Sequence, residues 1–115
     1  MKVIVAGSRN ITDEASVFCN IESVWFEKID EIVSGTASGV DRLGERYAAE
    51  RGIPVKQFPA DWAAHGKAAG YMRNKQMADY ADALIAIWDG RSKGTRHMIN
   101  LMLDAGKHTH VFVVK

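Results

Sequence analysis

The stretch Ala83-Leu84-Ile85-Ala86-Ile87-Trp88-Asp89-Gly90-Arg91-Ser92-Lys93-Gly94-Thr95 sets an unbroken apolar run against a polar, glycine-containing turn. An apolar run without alternation suits a strand covered on both faces, as in a parallel sheet flanked by helices. Beyond the turn the period changes, because Met98, Ile99, Met102 and Leu103 recur at helical spacing. The stretch therefore reads as strand, loop and helix, the repeating unit of an α/β fold.

The same unit recurs toward the N-terminus. Val3 to Ala6 precedes Gly7-Ser8-Arg9-Asn10, and Glu31 to Ser34 precedes Gly35-Thr36-Ala37-Ser38-Gly39. Val55-Lys56-Gln57-Phe58 is more polar, as at a sheet edge, whereas His110 to Val114 carries a continuous apolar run expected to be covered on both faces. Helical spacing links Val17, Ile21, Val24 and Trp25, and again Val40, Leu43 and Tyr47, and a further helix is expected over residues 69–80. Ser38 and Gly94-Thr95 lie where helix capping groups belong, and Gly52 and Gly106 where a left-handed residue ends a helix. The order is β-α-β-α-β-α-β-α-β. Such alternation implies right-handed crossovers and a mainly parallel, doubly wound Rossmann-like sheet, for which 3-2-1-4-5 is the natural strand order. The 59–70 connection is the one irregular stretch and is expected to act as a binding loop or lid.

The 115 residues suit one domain spanning 1–115, and 47% hydrophobic with 25% charged residues is the balance of a folded globular chain. Fifteen Lys and Arg against fourteen Asp and Glu leave +1, too little for a global field that holds nucleic acid without sequence preference. A lone Cys19 excludes an intramolecular disulfide, and the Cys and His spacing offers no zinc site. Met1 to Ser8 lacks the apolar core of a signal peptide, and no apolar run approaches the roughly 20 residues of a membrane span. A soluble, cytoplasmic protein is expected.

The loops that leave the strands are rich in glycine and hydroxyls, while those that leave the helices, such as Glu27 to Asp30 and Arg51 to Pro54, are short and plain. In a parallel sheet all strand C-termini share one edge, and ligands bind in the crevice outside it. Glycine lets the backbone approach a ligand, and helix starts favour an anion such as phosphate. The expected ligand-binding set is Gly7, Ser8, Arg9, Gly35, Thr36, Ala37, Gly39, Asp41, Arg73, Asn74, Asp89, Gly90, Ser92, Gly94 and Thr95. Asp41 sits in a first helical turn, where the dipole alone favours a carboxylate; its alternative is a sugar contact in the crevice. Glu45, one turn on, reads as a solvated glutamate that could share that face. Trp62, Tyr71 and Trp88 read as loop anchors or as stacking surfaces. Neither a Walker A loop nor a dinucleotide fingerprint is present, no histidine is assigned a catalytic role, and no cofactor or metal is expected.

Gly7-Ser8-Arg9, Gly35-Thr36-Ala37-x-Gly39-Val40-Asp41, Gly66-Lys67-Ala68-Ala69-Gly70 with Arg73-Asn74, and Trp88-Asp89-Gly90-x-Ser92-x-Gly94-Thr95 together resemble the small YspA-like branch of the SLOG superfamily. That superfamily also holds the DprA and Lonely Guy proteins, and the resemblance implies a site for nucleotides or nucleotide-derived ligands. Gly94-Thr95 is similar to the glycine-threonine of the Lonely Guy phosphate motif, and Arg73 to that family's active-site arginine. Met98 stands at the catalytic glutamate position and can neither stabilise a cationic sugar nor activate water.

The first expectation is thus a domain that binds or senses a nucleotide-derived phosphate ligand. In it, Gly35 to Gly39 and Gly90 to Thr95 hold phosphates, Arg9 and Arg73 balance charge, Asp41 contacts the sugar, and residues 59–70 order on binding. The alternative is a phosphoribohydrolase-like enzyme that uses Arg73 with Asp41 or Glu45 in place of the missing glutamate. A third, single-strand binding of the DprA kind through Arg91, Lys93 and Arg96, is opposed by the near-neutral charge. Related domains associate in pairs, so a homodimer is expected through an apolar face that the sequence does not identify.

Overall fold

Lys2–Gly7 forms β1, and its apolar centre packs helices on both sides: Val3 and Val5 point to one face, Ile4 and Ala6 to the other, as strand alternation requires. β2 (Glu31–Ser34), β3 (Val55–Gln57), β4 (Ala83–Trp88) and β5 (His108–Val113) join it in one sheet of order β3-β2-β1-β4-β5, every pairing parallel. This is the expected doubly wound α/β arrangement. The computed structural model describes residues 1–24 and 28–114.

The first face is covered by α1 (Glu14–Ser23) and α2 (Val40–Arg51), which bury Val17, Ile21, Val40 and Tyr47 against Val3, Val5, Ile32, Ile85 and Ile87. The second is covered by α4 (Ala69–Tyr80) and α5 (Lys93–Asp104), with Met77, Met98, Ile99 and Met102 against Ile4, Val33, Leu84 and Ala86. Trp25, expected on the apolar stripe of α1, and Glu27 of the following connection lie outside the described residues. α2 lies close on β1 at Gly44, where an added Cβ would lie 2.8 Å from Val5 Cβ. No described helix is long and apolar enough to cross a membrane.

The structure corrects four local expectations. β5 is an edge strand, so its apolar run is covered on one side at best: Val111 and Val113 are exposed, and Phe112 and Val114 alone reach the core. The 59–70 connection is not irregular throughout; it holds a one-turn helix α3 (Trp62–His65), capped by the Asp61 carboxylate on the Ala64 amide at 3.1 Å, followed by a 3-10 turn at Gly66–Ala68. The N-cap of α2 is Gly39 and not Ser38. Its φ of 75° and ψ of −127° suit only glycine, and a Cβ there would lie 2.5 Å from Arg9 O and 2.6 Å from Ser8 O. The N-cap of α5 is Ser92, with Gly94-Thr95 already inside the helix. Gly52 and Gly106 do end α2 and α5 in the left-handed conformation.

From β1 the chain runs one way to β2 and β3, then returns to place β4 and β5 on the other side of β1. The switch point lies between β1 and β4, so the loops leaving their C-terminal ends, Gly7 to Asn10 and Asp89 to Ser92, bound the crevice where such sheets take ligands.

Candidate functional site

A crevice of about 390 Å³ opens at the switch point, within the range of small-molecule sites. Its β1 and β4 sides are tied together: buried Ser8 donates its amide to Ile87 O, and its Oγ accepts the Asp89 amide at 3.0 Å. Asp89 Oδ1 then accepts the amides of Arg91 and Ser92 at 2.8 and 2.9 Å. These bonds form the turn and hold the Asp89 carboxyl below its ordinary pKa. Trp88 adds its indole N–H to Ser92 O at 3.0 Å, so it is an anchor of the turn.

The turn delivers Ser92 to the start of α5, where its Oγ accepts the Thr95 amide at 3.4 Å and the Thr95 hydroxyl at 3.1 Å. Among the described residues the amides of Lys93 and Gly94 make no hydrogen bond, and a Cβ on Gly94 would meet nothing within 4 Å. Here a helix start presents open donors to the crevice, the arrangement that favours an anion.

The loop after β2 is wound on itself instead. Ser34 Oγ accepts the Thr36 amide at 3.1 Å and donates to Glu45 Oε2 at 2.6 Å, while the Ala37 amide donates to Asp41 Oδ2 at 3.1 Å. Thr36 is the only described non-glycine residue with positive φ, at 64°, a conformation that a β-branched side chain adopts at a cost in strain. Gly35 is required by proximity, since a Cβ would stand 2.9 Å from both Arg73 Nη1 and Asp41 Oδ2. The bare backbone leaves room above it for both the guanidinium and the carboxylate.

Asp41 is buried and lines the crevice, and burial pushes its pKa up to about 6, against the opposing pull of the Ala37 amide and the Arg73 charge. Arg73 reaches from α4, donating Nη1 to Gly35 O and Nε to Asn74 Oδ1 at 3.1 Å. Burial and, more weakly, the charge of Arg9 lower its pKa. Buried Asn74 links α4 to the start of α5 by donating Nδ2 to Gly94 O at 3.1 Å, with His97 Nδ1 at 3.2 Å. Arg73, Asn74 and Gly94 thus form one connected group across the crevice.

Of the residues expected from sequence, Gly7, Ser8, Arg9, Gly35, Ala37, Asp41, Arg73, Asn74, Asp89, Ser92, Gly94 and Thr95 line this crevice. Thr36 borders only an adjoining outer lobe, and Gly39 and Gly90 shape their loops without lining it. Glu45 is no solvated glutamate: it takes hydrogen bonds from Ser34, Arg42 and Gln57, bracing the loop from below, and does not line the crevice. Sequence reasoning missed the apolar floor of Ala6 and Met77; Met98, expected at a catalytic position, completes it. The inward face of the second core layer was the signal that could have found them.

The profile of the YspA, cpYpsA-related SLOG family matches residues 1–65. The chain is 34% identical over 120 aligned residues to the Gene 61 protein of Mycobacterium phage D29, covering 91% of this chain and 90% of that protein. No solved structure matches at a significant level.

Proposed function

Since the chain belongs to the YspA, cpYpsA-related SLOG family, we propose that it binds a nucleotide or a nucleotide-derived phosphate ligand in the crevice between β1 and β4. The observation that carries this reading is the connected group of Arg73, Asn74 and Gly94, which sets a cation beside the open first-turn amides of α5. A phosphate at Gly94 accepts those amides and neutralises Arg73. Arg9 adds a second cation at the mouth, Asp41 accepts sugar hydroxyls, and the apolar floor of Ala6, Met77 and Met98 supports the ring system. The loop after β2 contributes Asp41 and the Gly35 carbonyl, not a phosphate cradle, because its Thr36 and Ala37 amides are already engaged. Residues 59–70, exposed from 61 to 68, are the segment expected to order over the ligand. A cytoplasmic setting, where Cys19 stays a free thiol, goes with this role.

Thermal shift against AMP and related nucleotides tests it. A ligand at 100 times its Kd stabilises by about 2.7 kcal/mol, a rise on the order of 10 °C in a domain of this size. The rise is expected to vanish in Gly94→Val, a substitution made in open space that leaves the unliganded fold intact. No rise with any nucleotide in folded protein would refute the reading.

One observation favours a second reading, a nucleotide hydrolase that cleaves an N-glycosidic bond. Asp41 supplies a buried carboxylate within the same crevice, although Met98 replaces the family glutamate. Base release from AMP, lost in Asp41→Asn while binding is kept, supports it. For the homodimer the supporting feature is the β5 edge, where Val111, Val113 and, on α5, Leu103 expose apolar surface. Light scattering of Leu103→Lys against the parent protein tests that association.

A further inference from the structure

Next to the main crevice lies an outer lobe of about 230 Å³, below the size of an independent small-molecule site and joined to the main one through Arg9, Gly35, Ala37 and Arg73. It is an annex. Its far wall is Pro59, Ala60 and Trp62. Trp62 is 51% exposed; the Asp61 cap forms the turn of α3 that carries it, and its Cη2 lies against Gly70, 3.3 Å from where a Cβ would be. A half-exposed indole beside a cavity is a surface on which a flat ring can stack.

Charge at the neck between the lobes points the same way. Arg9 and Arg73 both face it, their charges oppose each other, and among the described residues neither forms an ion pair within 4 Å. A single phosphate between Gly94 and Arg73 leaves Arg9 and the annex without a partner. A diphosphate across the neck serves both guanidinium groups, because each phosphoryl unit carries its own charge and acceptor oxygens.

We infer that the annex is a second subsite, and that the ligand is a two-part molecule: a nucleoside in the main crevice, joined through a diphosphate at Arg9 and Arg73 to a second flat group on Trp62. This rests on the nucleotide-binding reading and narrows it to diphosphate-linked, dinucleotide-like compounds. Titration calorimetry with AMP, ADP and NAD, on the parent chain and on Trp62→Ala, Trp62→Phe and Arg9→Ala, tests it. NAD is expected to bind at least about tenfold more tightly than AMP, the scale of one base stacked on an aromatic side chain. Trp62→Ala removes that gain and changes AMP far less, Trp62→Phe keeps it, and Arg9→Ala weakens ADP and NAD more than AMP. Equal affinity for AMP and NAD, or an equal loss for both in Trp62→Ala, overturns the second subsite while nucleotide binding stands. Absence of binding by all three overturns both.

Discussion

The loops after β2 and β4 have the same ingredients, glycines flanked by Ser and Thr between a strand and a helix, and the structure uses them in opposite ways. From Gly35 to Gly39 the amides of Thr36 and Ala37 are taken by Ser34 and Asp41, and the helix that follows begins at an N-cap without a side-chain hydrogen bond. From Gly90 to Thr95 a serine caps the helix with its side chain, and the amides of Lys93 and Gly94 stay open. One loop is a brace that carries a carboxylate beside an arginine; the other keeps donors open toward the crevice, where the proposal places a phosphate. What separates them is where the first polar side chain folds back, not how many glycines they contain.

The largest effect expected from this contrast is on the brace. Gly39→Ala places a Cβ against two carbonyl oxygens at a backbone conformation closed to alanine, so a loss of about 3 kcal/mol or more is expected in urea unfolding. Gly94→Ala, by comparison, leaves stability within about 1 kcal/mol of the parent and if anything raises it, since alanine favours the helix.

Asp41→Asn should act nearly as strongly, with the opposite sign and a pH signature. The folded carboxyl has its pKa pushed up to about 6 from 3.8, chiefly by burial. Folding therefore binds a proton between those values, and stability falls as pH rises from about 4 to about 6. Above that window ionised Asp41 costs about 3 kcal/mol, so the asparagine variant is more stable than the parent at pH 7 by up to about that amount. Its advantage disappears below pH 4. A pH-independent difference between the two proteins would show that Asp41 is not desolvated.

Arg73→Ala is expected to weaken AMP binding by about 2 kcal/mol, roughly thirtyfold in Kd, through loss of a charge-assisted hydrogen bond. Arg91→Ala, exposed on the turn and away from the crevice lining, should change it far less. The smallest effect falls on the receptor's own scaffold: Ser92→Ala removes the cap of α5 and should lower stability by about 1 kcal/mol in the same urea experiment.

Much of this was legible in the sequence where the information is local. Apolar runs followed by glycine loops gave five strands, their order and the edge that carries the crevice, and twelve of the fifteen expected ligand-binding residues line it. Long-range partners were not legible. Glu45 reads as solvated from its helix, and only the approach of Ser34 and Gln57 from β2 and β3 makes it a brace. The run in β5 looks fully covered because apolarity does not encode how far the flanking helices reach, and Val111 and Val113 stay exposed. α3 has four residues, too few for a helical period, so the position of Trp62 could not be placed from sequence.

The contrast between the loops is tested most directly by amide chemical shifts of 15N-labelled protein during titration with AMP. The account predicts that the Lys93 and Gly94 amides move furthest and saturate together, while those of Thr36 and Ala37 stay close to their starting positions. Large shifts at Thr36 and Ala37 with Gly94 unmoved would contradict it and assign the phosphate to the loop after β2.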